Sequence, residues 1–250
     1  MRGVAERSDD GESESMYSLI PSHFTREFQK SKYHTMAQYD DFAQTFSTSR
    51  QHMRWPEIDY LLGKLDFSSD LRILDAWCGN GRLLDHLGEQ KLEYVGIDNS
   101  DKMLDEARKF YPTKIFFLLD MNLLDKIVLK DFNAIFFIAS FHHLEDDISR
   151  KAVLKKTAKL LKPGGIILMT NWNLLWEKNM EKYGASKILW SENEFGWADF
   201  QIKIWEFKRF YHSFTHDEIQ HLFRGTWLII EENVLFPWEN NIITIARKQI

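Results

Sequence analysis

At 250 residues, with 44% hydrophobic and 28% charged side chains, the chain has enough material for one full α/β core and an appendage. A net charge of −5 excludes a strongly basic nucleic-acid-coating protein and leaves room for an enzyme with a local basic patch. No apolar run approaches the roughly 18 residues that a membrane helix needs, so no membrane partner is expected.

The single cysteine, Cys78, excludes an internal disulfide framework and a Cys-based zinc cluster. No metal site is expected, and the cytoplasm is the expected compartment. Residues 1–35, with SDDGESES at their centre, read as a polar and disordered leader, although 23–34 has the pattern of a short helix. A single domain is expected over 36–250. It opens with helical patterns at 37–48 and 55–65, the second carrying Pro56 in its first turn.

From residue 71 short apolar runs alternate with amphipathic helices. The runs are 71–75, 92–98, 114–120, 133–139 and 165–170, with helices at 82–89, 100–110 and 146–162. Near-continuous hydrophobicity marks strands covered on both faces. Pro163-Gly164-Gly165 stops the last helix, whose Lys151, Lys155 and Lys159 form an outer face. The fold class read from this alternation is α/β: a doubly wound, mostly parallel sheet with helices on both faces.

A polar, aromatic-rich segment (171–200) follows, then candidate strands at 201–206 and 209–214, a helix at 215–223, and strands at 226–231 and 241–246. There is no internal repeat and no linker that would mark a second domain.

Ligands of such sheets bind outside the carboxyl ends of the strands. Here three of those ends are acidic: Asp75, Asp98 and Asp120. Clustered carboxylates repel and resist burial, so they stabilise a core poorly. They suit a ligand bearing an ammonium group, ribose hydroxyls and an adenine amine. The loop Trp77-Cys78-Gly79-Asn80-Gly81 follows the first strand, but Leu84 stands where a dinucleotide fingerprint has its third glycine, and no P-loop lysine follows.

The stretches 73-ILDAWCGNGRLL-84, 94-YVGIDNSDKML-104, 116-FFLLDMNLL-124, 133-NAIFFIASFHHL-144 and 160-LLKPGGIILMTNWN-173 together resemble the class I S-adenosylmethionine-dependent methyltransferases, with a Rossmann-like, seven-stranded sheet. The resemblance spans about 36–250. It implies S-adenosylmethionine as cofactor and S-adenosylhomocysteine as product. It also implies that 36–68 lies over the cofactor and that 171–214 covers the substrate.

Carried over by position, it makes Asp75 the partner of the cofactor's amino group. Gly79 and Gly81, with Cys78 between strand and loop, let the backbone close on the methionine and ribose. Asp98 and Asn99 meet the ribose hydroxyls, Asp120 and Met121 frame the adenine, and Ala139 faces the methionine end. Tyr39 and Arg50 belong to the same cofactor set. Trp77 departs from the glycine of many relatives, although other branches place an aromatic there, in D-P-F-C-G-x-G loops. The expectation is that its side chain turns away from the cofactor or packs beside it.

For the methyl acceptor, the N/D-P-P-Y of base-amine methylating enzymes is absent, and Cys78 sits in the cofactor loop rather than where a nucleophile would be needed. Two stretches, 39-YDDFAQTFSTSRQHMRWPEIDYLL-62 and 208-KRFYHSFTHDEIQHLF-223, with the FHHL after strand four, resemble the tRNA wobble-uridine carboxylate methyltransferases. Those carry Y-D-x-I-A-x-x-F-S-x-T-R-x-x-x-W-P and R-Y-Y-H-x-F elements, from which Phe42, Ser49 and Phe210 depart.

The resemblance implies tRNA as partner; whether a small activating subunit is needed stays open. A carboxylate is already ionised at neutral pH and needs orientation more than a base. Arginine supplies the fork of donors. Arg50 and Arg209 are the candidates, one for the substrate carboxylate and the other for the cofactor's own, supported by His142, His143, Tyr211 and His212. Tyr211 and His212 alternate along a strand, so only one should face the site. His142 and His143 have a second reading as caps of the short helix after strand four. Trp227 and Trp238 read as packing, whereas Trp172, Trp190, Trp197 and Trp205 lie in the covering segment. Two other readings remain: a methyltransferase for a small-molecule acceptor, and a catalytically idle binding subunit.

Overall fold

Five apolar runs become parallel strands: β1 (Leu71–Ala76), β2 (Leu92–Asp98), β3 (Ile115–Leu118), β4 (Phe132–Ile138) and β5 (Leu161–Trp172). The computed structural model describes residues 53–188, 194–204, 207–237 and 240–250. The leader at 1–35, the helix expected at 37–48, Tyr39, Arg50, Trp190, Trp205 and Trp238 lie outside these residues.

The helices are α1 (Pro56–Leu62), α2 (Arg82–Leu87), α3 (Asp101–Phe110), α4 (Asp147–Leu160), α5 (Glu177–Tyr183) and α6 (His216–Phe223). The remaining strands are β6 (Ala198–Ile204), β7 (Phe207–Ser213), β8 (Leu228–Leu235) and β9 (Asn241–Lys248). Strand order in the main sheet is β3-β2-β1-β4-β5-β9-β8, with β9 antiparallel to both its neighbours. This is the Rossmann-like, mostly parallel seven-stranded sheet expected.

Alternation along the strands feeds two cores. Leu74, Val95, Ile97, Ile135, Phe137, Ile167 and Met169 pack with Val153 and Leu154 of α4 and with Ile219 and Leu222 of α6. Ile73, Tyr94, Ala134, Phe136 and Leu168 pack on the other side with α1, α2 and α3 through Ile58, Leu61, Leu83, Leu87 and Leu104. Each fully buried Phe or Leu contributes on the order of 2 kcal/mol of transfer free energy. Helix starts are set locally: the Ser100 and Asp146 side chains accept the Met103 and Ser149 N–H groups, capping α3 and α4.

Three details differ from expectation. Helix α4 ends at Leu160 and the chain enters β5 at once; Pro163-Gly164-Gly165 forms a bulge where the register jumps between Phe132–Leu161 and Ala134–Ile166. A Cβ on Gly165 would stand 2.9 Å from the Phe132 carbonyl oxygen, so the bulge needs glycine there. The two strands of the covering segment, β6 and β7, pair with each other as a separate ribbon. Trp227, expected to pack inside, is 56% exposed at φ +61° just before β8.

Candidate active site

Strand order reverses between β1 and β4, and a cleft opens at their carboxyl ends, the switch point of such a sheet. It is open to solvent at its mouth and is lined by Asp75, Trp77, Gly79, Asp98, Ala139, His142, Arg209 and Tyr211 among others. The floor is a set of backbone contacts between neighbouring strand ends. Asp98 accepts from Gly79 N–H at 2.8 Å and from Ser100 N–H at 2.9 Å, so it ties the glycine loop to β2. Cys78 N–H donates to the Ile97 carbonyl, and the Ser140 hydroxyl donates to the Ala76 carbonyl at 3.0 Å. Gly79 and Gly81 adopt φ +57° and +83°, conformations that only glycine takes without strain.

Trp77 takes φ +62° without being glycine, at a backbone cost of about 1–2 kcal/mol. Its ring packs against the core cluster under α4 and stands 5.8 Å from that of His143. It walls the cleft off from a second hollow, which shares Trp77, His143 and Arg209 and also holds Asp120, Asn122, Lys156 and Lys208.

Burial dominates the ionisation of all three acids. Burial pushes the Asp75 carboxyl up to about 7, helped by the charge of Asp98 and opposed by a 2.9 Å hydrogen bond from the Tyr94 hydroxyl. Burial likewise pushes Asp98 up to about 6, against the N–H groups of Ser100 and Gly79. Asp120 is raised by burial too, while accepting from Asn122 N–H and from the Asn99 amide at 3.1 Å. Two desolvated carboxyls in one cleft fit a ligand that brings an ammonium group and hydroxyl donors.

The far end of the cleft is aromatic. Trp172 stacks on Tyr211 at 5.1 Å and 11°, and Tyr183 extends the stack. His142 and His143 pack against Tyr211 at 5.3 and 4.7 Å. The Nδ1 of His142 faces the Trp172 N–H at 3.2 Å and so accepts. The Nδ1 of His143 faces the Phe210 carbonyl at 2.9 Å and so donates. Burial lowers both: His142 far below its usual range, and His143 to about 4 with help from the charge of Arg209. Both rings are therefore neutral, with opposite tautomers.

Comparison with known proteins bears directly on this arrangement. Residues 73–165, which carry the glycine loop and all three acidic strand ends, match the family described as a methyltransferase domain. Residues 73–165 thus carry a methyltransferase domain. The chain is 36% identical over 148 residues to the tRNA (carboxymethyluridine(34)-5-O)-methyltransferase alkbh8 of Xenopus tropicalis, covering 58% of this chain and 22% of that protein. It is 31% identical over 174 residues to the tRNA (carboxymethyluridine(34)-5-O)-methyltransferase of Arabidopsis thaliana, covering 66% and 40%. The chain thus spans less than half the length of these curated relatives. A solved S-adenosylmethionine-dependent methyltransferase from Clostridium acetobutylicum superposes with a TM-score of 0.62 at 16% identity, covering 85% of this chain and all of that one.

The residues named from sequence divide clearly. Asp75, Trp77, Cys78, Gly79, Asp98, Asn99, Ala139, His142, His143, Arg209 and Tyr211 line the one cleft. Gly81 lies just behind it, as the left-handed cap of α2. Asp120 lines the adjoining hollow, tied to the cleft through Asn99. The Met121 side chain is fully buried in the core, so only its backbone can face a ligand. The Cys78 thiol is buried beneath the loop, and burial among acids pushes it well above its usual range, which makes it inert.

His212 is corrected. It points away from the cleft, its ring nitrogens held by Asp199 at 2.6 Å and Glu218 at 2.7 Å, with Arg150 behind Glu218 at 3.7 Å. This buried chain fastens the β6–β7 ribbon to α6 and α4. Of the covering tryptophans, Trp172 lines the cleft and Trp197 packs on His212 instead.

Arg82 and Trp55 were missed, though both line the cleft, the guanidinium 4.1 Å over the indole. A signal existed: an arginine in the first turn of a helix opposes the helix dipole.

Proposed function

We propose that this protein transfers a methyl group from S-adenosylmethionine to a carboxylate, that of a carboxymethyl group on a tRNA wobble uridine. The observation that carries the reading is the balance of donors and bases at the aromatic end of the cleft. Arg209, the Tyr211 hydroxyl and the Nε2–H of His142 offer hydrogens to an anion. Among the described residues no group there is a strong base: the His142 Nδ1 lone pair is engaged, and His143 is held to about 4. An alcohol or amine acceptor would need its proton removed, whereas a carboxylate arrives ionised. The names of the two curated relatives support the same acceptor and the same RNA.

Bound cofactor supplies an electrophilic methyl group on a sulfonium. On this reading Asp75 holds the ammonium of the methionine end, and Asp98 takes ribose hydroxyls on the lone pairs left by its two backbone bonds. Arg209 grips the acceptor carboxylate as a fork, and the Trp172–Tyr211 stack excludes water and offers a flat face to the uracil.

The test is Arg209→Lys. It should lower kcat/KM for tRNA about 100-fold, because a bidentate, charge-assisted pair is lost, while S-adenosylhomocysteine still binds. Unchanged turnover would remove Arg209 from the acceptor site; lost S-adenosylhomocysteine affinity would assign it to the cofactor carboxylate instead.

A further inference from the structure

Two residues that line the cleft, Trp77 and His142, each carry a ring N–H that is shielded from solvent and has no partner among the described residues: Nε1 of Trp77 and Nε2 of His142. The second carries hydrogen because Nδ1 of the same neutral ring accepts from Trp172. His143 lies between the two residues, its ring 5.8 Å from that of Trp77 and 4.6 Å from that of His142. Arg209 lines the same space. A buried donor without an acceptor is costly to keep, so a ligand that reaches both must be rich in acceptors.

Packing alone does not account for the tryptophan. A phenylalanine would fill much of the same wall, and a glycine would relieve the φ of +62°. The feature that neither would supply is the indole N–H.

We propose that Trp77 is a specificity-determining residue of the acceptor site, its indole N–H donating to the same carboxylate that the Nε2–H of His142 and Arg209 engage. This differs from the cofactor role that position in the glycine loop suggests, and it rests on the carboxylate reading above. The departure from glycine then selects for an anionic acceptor over its neutral amide, which turns an N–H donor toward these donors.

The experiment compares the wild-type protein with Trp77→Phe, which removes the N–H and keeps an aromatic wall, and with Trp77→Gly, which keeps the loop conformation free of strain should the first variant fold poorly. S-adenosylhomocysteine affinity is measured by calorimetry. KM is measured on total tRNA from cells lacking this methyl transfer, which bears free carboxymethyl groups. Trp77→Phe should raise KM about tenfold, the loss expected for one hydrogen bond to a charged group, with S-adenosylhomocysteine affinity within about twofold of wild type. An unchanged KM, or a tenfold loss of S-adenosylhomocysteine affinity without a change in KM, overturns the assignment alone. A wild-type protein that binds S-adenosylhomocysteine and methylates none of this tRNA overturns the carboxylate reading and the assignment with it.

Discussion

A single buried acid, Asp75, couples pH to stability. Its folded value of about 7 lies above the usual 3.8, so the stability it contributes is fully present below the unfolded value and is lost as pH rises through 7. Asp98 acts the same way through about 6. His142 and His143 act in the opposite sense: held neutral below their usual 6.5, they add stability as pH rises toward that value. The wild-type profile therefore mixes both, and a difference isolates the acid. Asp75→Asn keeps an oxygen for the Tyr94 hydroxyl and removes the charge. Its stability relative to wild type, followed as Tm, should climb between about pH 4 and pH 7 and then level off, with a limit of about 4 kcal/mol. The same variant should lose most of the stabilisation by S-adenosylhomocysteine. A pH-independent Tm difference would mean that Asp75 ionises normally in the fold.

The elements were legible where burial dictates pattern. Strands β1, β2 and β4 are largely buried and their apolar runs lie within one residue of the observed limits, with Asp75 and Asp98 near the ends of the first two. The ribbon was harder. Period-two alternation put Tyr211 and His212 on opposite faces, but only the tertiary partners Asp199 and Glu218 decide which face meets the cleft. Arg82 is contiguous with the glycine loop, yet its role depends on Trp55, far away in sequence. Nor did the pattern mark Gly96, in the middle of β2. A Cβ there would come within 2.8 Å of the Phe116 ring and 2.9 Å of the Cys78 sulfur, so β2, β3 and the glycine loop can approach only around a bare backbone. Gly96→Ala should cost about 1–3 kcal/mol by overpacking, read as a lower Tm, and should weaken S-adenosylhomocysteine binding by displacing the loop. Unchanged values of both would show that Phe116 moves aside freely.

At the scale of the whole molecule, two buried cores hold the sheet rigid, and a separate ribbon, fastened by the Arg150–Glu218–His212–Asp199 chain, brings Arg209 and Tyr211 over the strand ends. On the proposed function, cofactor end and acceptor end come from different layers of the chain, and the second layer holds a carboxylate. The product is then a methyl ester, which mild alkali hydrolyses to methanol, whereas a methyl on a base nitrogen, base carbon or ribose oxygen stays on the nucleoside. The direct measurement is incubation of the full chain with methyl-labelled S-adenosylmethionine and tRNA bearing free carboxymethyluridine, followed by mild alkaline treatment. Label that enters the tRNA and leaves it as methanol is the predicted result; label that survives the alkali, or never enters the tRNA, would contradict the account.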